Sequence, residues 1–360
     1  MPQGVRLLIR WMIDKLPLQN AKGNYKDVLS KHLEAFRRRL RELEDESIQY
    51  ALSLDHRHFT NIIDGYCNRI MEIVNDNSQG LFYSAFSKFQ DLMEEPNGLW
   101  GALQRTLDLG NKPLYRIRRV EPSSKITREE MFHIPLNKRE LVSSQRYSSL
   151  GYPCLYLGYS INACWEELER PTLDSFMVVS VSQQTSIKVI DLSIPNDVSD
   201  FRYLTDLWKF IMAYPLISAC LVKTKDAKSA YKEEYVIPQM LTNYVIAQNH
   251  QKRAGNNRPS EDVTAIKYTS SHYNTQFGWK RDAFSNLAIP VINPSNEYKY
   301  CPVLSWMFHL SEPTCVEYEQ ISDSLPNPRF KIRNSYDVSL FGKIEHVLIT
   351  KEHKPVKPTK

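Results

Sequence analysis

One stretch constrains this chain more than any other. Residues Tyr147 to Pro171 read as a strand, a tight turn and a short helix. Pro153 precedes the apolar run Cys154-Leu155-Tyr156-Leu157, whose length and bounds suit a buried strand. Gly158 to Ser160 supply a turn, and Ser160 can N-cap a helix beginning at Ile161, because a serine hydroxyl accepts from a backbone N–H of the first helical turn. Ile161, Cys164, Trp165 and Leu168 then recur at helical spacing, and Pro171 closes the helix. The pattern sets a tyrosine, Tyr156, on a strand. It sets a carboxylate, Glu167, at the flank of the apolar helical face, where its environment can tune it.

The residues before this stretch have a different texture. Val5, Leu8, Ile9, Met12, Ile13 and Leu16 define one helical face. Leu29, Leu33, Phe36, Leu40 and Leu43 define a second, whose other side carries Arg37, Arg38, Arg39 and Arg41. The ordinary reading of those arginines is a solvated face paired with Glu42, Glu44 and Glu46. Phe59 to Val74 and Phe82 to Met93 give two more helical patterns. Residues 1–110 are therefore expected to form a helical bundle, ending near the turn signals at Pro96-Asn97-Gly98 and Gly110 to Pro113.

Beyond that point short β-rich runs (114–117, 175–181, 186–192, 266–270, 287–291 and 338–349) mix with helical patterns at 201–211 and 233–248. The mixture lacks strict βαβα alternation and predicts an α+β fold. Gly255 to Ser260 reads as an exposed loop, and the lysine- and proline-rich residues 351–360 as a basic disordered tail.

Composition excludes more than it proposes. A net charge of +5 over 360 residues does not call for nucleic acid as a partner. No stretch of eighteen apolar residues suggests a membrane span. Met1 to Asn20 is interrupted by Arg6, Arg10, Asp14 and Lys15 and does not read as a secretory signal. The six cysteines are scattered, without Cys-x-x-Cys spacing, so no metal site is expected and the chain reads as cytoplasmic. Glycine-rich phosphate loops, His-Glu-x-x-His and Gly-x-Ser-x-Gly are all missing from the sequence. Arg128 and His133 have the spacing of a HEPN ribonuclease motif, but that pattern is short and lies outside the helical bundle.

With Tyr156, Ala163-Cys164 and Glu167 in place, the chain from about Leu114 to Val291 resembles the RES-domain family, NAD-degrading toxins named for an arginine, a glutamate and a serine. The resemblance implies an ADP-ribosyltransferase-like fold over residues 111–350, with NAD as substrate, no separate cofactor and no metal. It implies that the nicotinamide–ribose bond is cleaved by water or phosphate.

Arg116, in Leu-Tyr-Arg context, matches the family arginine and would hold the diphosphate; Arg146 is similar to a second arginine. Helical phase leaves both Glu167 and Glu169 as candidates, and the family spacing from Tyr156 selects Glu167. Tyr156 would stack on the nicotinamide. For the serine, Ser270 in Ile-Lys-Tyr-Thr-Ser is the choice, with Gln239 sharing its role, since Glu234 to Gln239 contains no Ser or Thr.

The family further implies a toxin covered by a separate antitoxin protein, in a toxin–antitoxin or phage-defence setting. The helical domain would be free to mediate homo-oligomerisation. The rival readings are ADP-ribosyl transfer to a protein and a helical interaction or RNA-cleaving protein whose RES domain is inactive.

Overall fold

A computed structural model describes residues 1–20, 23–43, 56–94, 98–122, 124–226, 228–254, 262–273, 280–292, 294, 297–316 and 336–359. The turn at Pro96-Asn97, the glutamates Glu44 and Glu46 and the loop at Gly255 to Ser260 lie outside the described residues. The chain is mixed α+β and divides into two units. The first comprises residues 1–104 and 190–248, the second 105–189 and 249–360.

The contiguous division expected at residue 110 differs from this, because residues 190–248 group with the N-terminal helices. The reason lies in one segment. The apolar runs around Phe210 and Leu216 form a single helix, Leu204–Cys220, in which every residue from Phe210 to Cys220 is buried. A helix that is apolar on all sides must be enclosed by other elements.

In the first unit that helix, α7, packs with α1 (Gln3–Lys15), α2 (Tyr25–Arg41), α3 (His56–Ser78) and α5 (Leu99–Leu103), and α4 (Phe82–Glu94) packs on α3 and α5. Tyr25 donates its hydroxyl to the Ala219 carbonyl at 3.0 Å. His32 stacks on Trp11 and shares a 3.0 Å hydrogen bond with Tyr214. The arginines of α2 turn to other helices. Arg37 and Arg41 pair with Asp64 on α3, and Arg39 lies over the Trp11 ring.

The second unit is built on an eight-stranded sheet in the order β1-β5-β6-β7-β3-β2-β4-β8. The strands are β1 (Gln104–Leu107), β2 (Leu114–Arg119), β3 (Cys154–Gly158), β4 (Phe176–Gln183), β5 (Ile187–Leu192), β6 (Val263–Thr269), β7 (Ser285–Pro290) and β8 (Phe308–Leu310). Side chains alternate between its faces. Leu155, Leu157, Val179, Val181, Leu287 and Ile289 enter one core, which Leu304 of the short helix α9 (Pro302–Met307) joins. On the opposite face Tyr115, Ile117, Phe176 and Val178 pack with α6 (Ile161–Glu167) and α10 (Leu340–Leu348). Residues 340–348 are thus helical, where the sequence suggested a strand.

The sheet parts between β2 and β3. Antiparallel β2 and β4 match over six residue pairs, and β3 and β7 over five. Antiparallel β2 and β3 match only at Tyr115 and Gly158.

The tail expected to be disordered is ordered through Thr359. Lys354 and Leu310 exchange backbone hydrogen bonds at 2.9 Å, and Val356 is fully buried. Val356 supplies an apolar anchor between the lysines, and the backbone of β8 supplies the partners.

Candidate active site

Strand β3 and helix α6 form the expected strand–turn–helix. Ser160 caps the helix, accepting from the Ala163 N–H at 3.0 Å. Gly158 has a steric reason to be glycine. A Cβ there would lie 2.6 Å from Cys164 Sγ and 3.2 Å from Asn286 Oδ1. The helix therefore sits directly on the strand end, and only a residue without a side chain permits that approach.

The helix ends at Glu167, and Glu169 and Arg170 follow with φ of 58° and 53°. Both are left-handed at non-glycine positions, a conformation that persists only where the surroundings hold it. Arg170 N donates to the Trp165 carbonyl at 3.0 Å, its guanidinium binds Glu166 at 2.9 Å, and it lies over the Trp165 ring.

This turn separates the three glutamates. Glu166 is buried and paired with Arg170. Glu169 is exposed beyond the helix end. Glu167 is half-buried, and its Oε1 accepts from the Asn286 side-chain amide at 3.0 Å.

Arg116 reaches across the parting of the sheet. Its Nη1 donates to the Tyr156 carbonyl at 3.0 Å, a backbone acceptor on the strand that separates from its own. Its Nε is buried and has no partner among the described residues. Burial lowers the guanidinium pKa to about 10, with Cys164 opposing the shift and Arg118 adding to it, so Arg116 remains charged at neutral pH. An arginine held at one corner with an unsatisfied edge is suited to an anionic oxygen.

Tyr156 and Gly158 share a sheet face, and β7 sets Ala288 and Asn286 opposite them. Tyr268 of β6 lies opposite Asn286 in turn, and the Tyr147 ring packs on it at 4.4 Å. The neighbouring Arg146 donates to Ser271 Oγ at 3.3 Å. Ser270 is fully buried, and its hydroxyl accepts from the His272 N–H at 3.0 Å. That leaves Ser271, one residue on, as the serine that meets Arg146.

Gln239 lies on α8 (Val236–Ala254), within the portion that belongs to the first unit, whereas the other five candidates lie in the second. Asn286 was not among the residues expected at the site; its one signal in the sequence was an amide directly ahead of the apolar run Leu287-Ala288-Ile289.

The alternative Arg128–His133 motif is occupied by the fold. Arg128 pairs with Glu312. His133 Nε2 accepts from the Cys301 N–H at 2.9 Å, which leaves Nδ1 to donate to the Ile134 carbonyl at 2.7 Å. Burial lowers the His133 pKa to about 4.

Among known proteins, the chain is similar to "Putative toxin YopC" of Bacillus subtilis (strain 168). The two are 29% identical over 370 residues, which cover 95% of this chain and 80% of that protein. No family model matches the chain, and no solved structure matches it. Among the described residues, no helix is long and apolar enough to cross a membrane.

Proposed function

We propose that this chain is a RES-type toxin, acting in the cytoplasm, that cleaves NAD at the nicotinamide–ribose bond on an ADP-ribosyltransferase-like scaffold. One observation carries the reading. Arg116 reaches the Tyr156 carbonyl on β3, and Glu167 holds the Asn286 amide, which stands opposite Gly158 of the same strand. Similarity to a protein named as a toxin, over nearly the whole chain, supports the biological setting.

The chemistry follows from the charges. The nicotinamide ring nitrogen is already cationic, so when the C–N bond breaks the electron pair leaves with a ring that becomes neutral. Positive charge then develops at the ribose anomeric carbon, as in glycoside cleavage. The Glu167 carboxylate stabilises that charge or orients a ribose hydroxyl. Arg116, with Arg146, binds the diphosphate and fixes the geometry. Tyr156 offers its ring to the nicotinamide. Attack by water gives ADP-ribose and a proton; attack by phosphate gives the phosphorylated sugar. A protein with this activity requires a covering partner in the cell that makes it, and we assign that role to a separate antitoxin protein.

The test is to incubate purified protein with NAD and follow nicotinamide and residual NAD, with and without phosphate, beside Glu167→Ala. Nicotinamide release that the substitution abolishes is the expected result. Label from NAD appearing in protein, without free ADP-ribose, would turn the reading to a transferase. No release by folded, partner-free chain would overturn it.

A further inference from the structure

Asn286 is buried at 4% exposure in β7, a strand whose six residues are all buried. An amide in such a position is costly unless it is bonded. Its bond goes to Glu167, 119 residues earlier in the chain. The backbone cannot drift, because β7 is paired on both sides: Asn286 stands opposite Gly158 on β3 and Tyr268 on β6.

The amide cannot usefully turn over either. Its Oδ1 lies over Gly158, 3.2 Å from where a Cβ would be, and rotating the group would set that oxygen against the Glu167 carboxylate. Only Nδ2 can face Oε1 favourably. Glu167 Oε2 has no partner among the described residues.

We infer that Asn286 is a positioning residue for the proposed reaction: its amide clamps one oxygen of Glu167 so that the other is presented to the ribose. The inference rests on the NAD-cleaving reading and adds to it a residue that never touches substrate.

Asn286→Asp tests this with almost no change of shape, and Asn286→Ser provides a smaller second variant. With the full chain, nicotinamide release is measured against pH, and the Glu167 carboxyl is titrated by NMR in the same proteins. In Asn286→Asp a second carboxylate faces Glu167. Its titration and the acid limb of kcat/KM are expected to move to higher pH than in the wild-type chain, by about one unit or more. In Asn286→Ser, kcat is expected to fall by about 10- to 100-fold with KM for NAD nearly unchanged.

A folded Asn286→Asp protein with the wild-type limb and wild-type kcat would overturn the inference and leave the NAD-cleaving reading standing. Should the wild-type chain release no nicotinamide, that reading fails on its own. The Glu167 titration then decides the clamp: an unmoved titration in both variants overturns it.

Discussion

Helix α6 meets a carboxyl group at each end, and the two are held differently. At its N-terminus, Glu345 of α10 turns Oε1 to the Ile161 N–H at 2.6 Å and to the Tyr336 hydroxyl at 2.5 Å. Burial pushes its pKa up to about 8, against the opposing pull of those two donors. At its C-terminus, Glu167 is half-buried and holds one amide. Glu345 is enclosed and tied to two donors of the fold, so it works as a fastener. Glu167 keeps an oxygen without a partner among the described residues, so it can work on a substrate. Proximity to the helix is common to both, and the number and kind of donors separates them.

The sharpest break in this comparison is a matched pair of isosteric substitutions. Glu167→Gln removes the charge aimed at the ribose, and nicotinamide release is expected to fall by about 10²- to 10³-fold or more, with little change in melting temperature. Glu345→Gln keeps an oxygen for both donors, so release is expected to stay within a few-fold of wild type. Equal losses of release in two folded proteins would erase the division of roles. The measurements are the initial rate of nicotinamide release and a thermal melt on the same preparations.

Much of this end of the molecule was legible in the sequence. The strand, the turn, the Ser160 cap and the helix follow from local spacing, and the structure places all four. Glu167 needed the family spacing, because helical phase alone admitted Glu169. The glutamates separate only once Glu169 and Arg170 adopt positive φ, which nothing local in a Glu-Arg pair announces.

Asn286 and Glu345 were not legible. Their partners lie 119 and 184 residues away, and strand register and helix docking decide such contacts. The grouping of residues 190–248 with the N-terminal helices was hidden for a similar reason. Periodicity describes an amphipathic face well and reads the first part of α7, but its apolar second half, Phe210 to Cys220, shows none. The ordering of residues 351–359 was missed because their composition is polar, while one valine and a backbone ladder to β8 suffice to hold them.

A second way to separate the two carboxyls is pH. The Glu345 pKa is raised in the fold, from 4.5 to about 8, chiefly by desolvation. The folded chain therefore keeps a proton over a range where the unfolded chain has released it. The resulting stability is fully present below the unfolded value and is lost as pH rises through about 8. Glu345→Gln is expected to flatten that decline between about pH 5 and pH 8.5, as read by melting temperature. If the decline persists unchanged, another group causes it and Glu345 is not the neutral fastener described above.

The smallest expected effect sharpens the N-terminal half of the comparison. Ser160 accepts from the Ala163 N–H at 3.0 Å and donates its own hydroxyl to the Ala283 carbonyl. Ser160→Ala removes a helix cap and is expected to cost about 1 kcal/mol of stability by denaturant unfolding. Glu345 serves the same helix end through the adjacent Ile161 N–H. Residues sharing one such network do not act independently. The double variant Ser160→Ala with Glu345→Gln is therefore expected to depart from the sum of the singles by about 0.5 kcal/mol or more. Strict additivity would mean that the two side chains support the helix separately, and the fastener would then be Glu345 and Tyr336 without the cap.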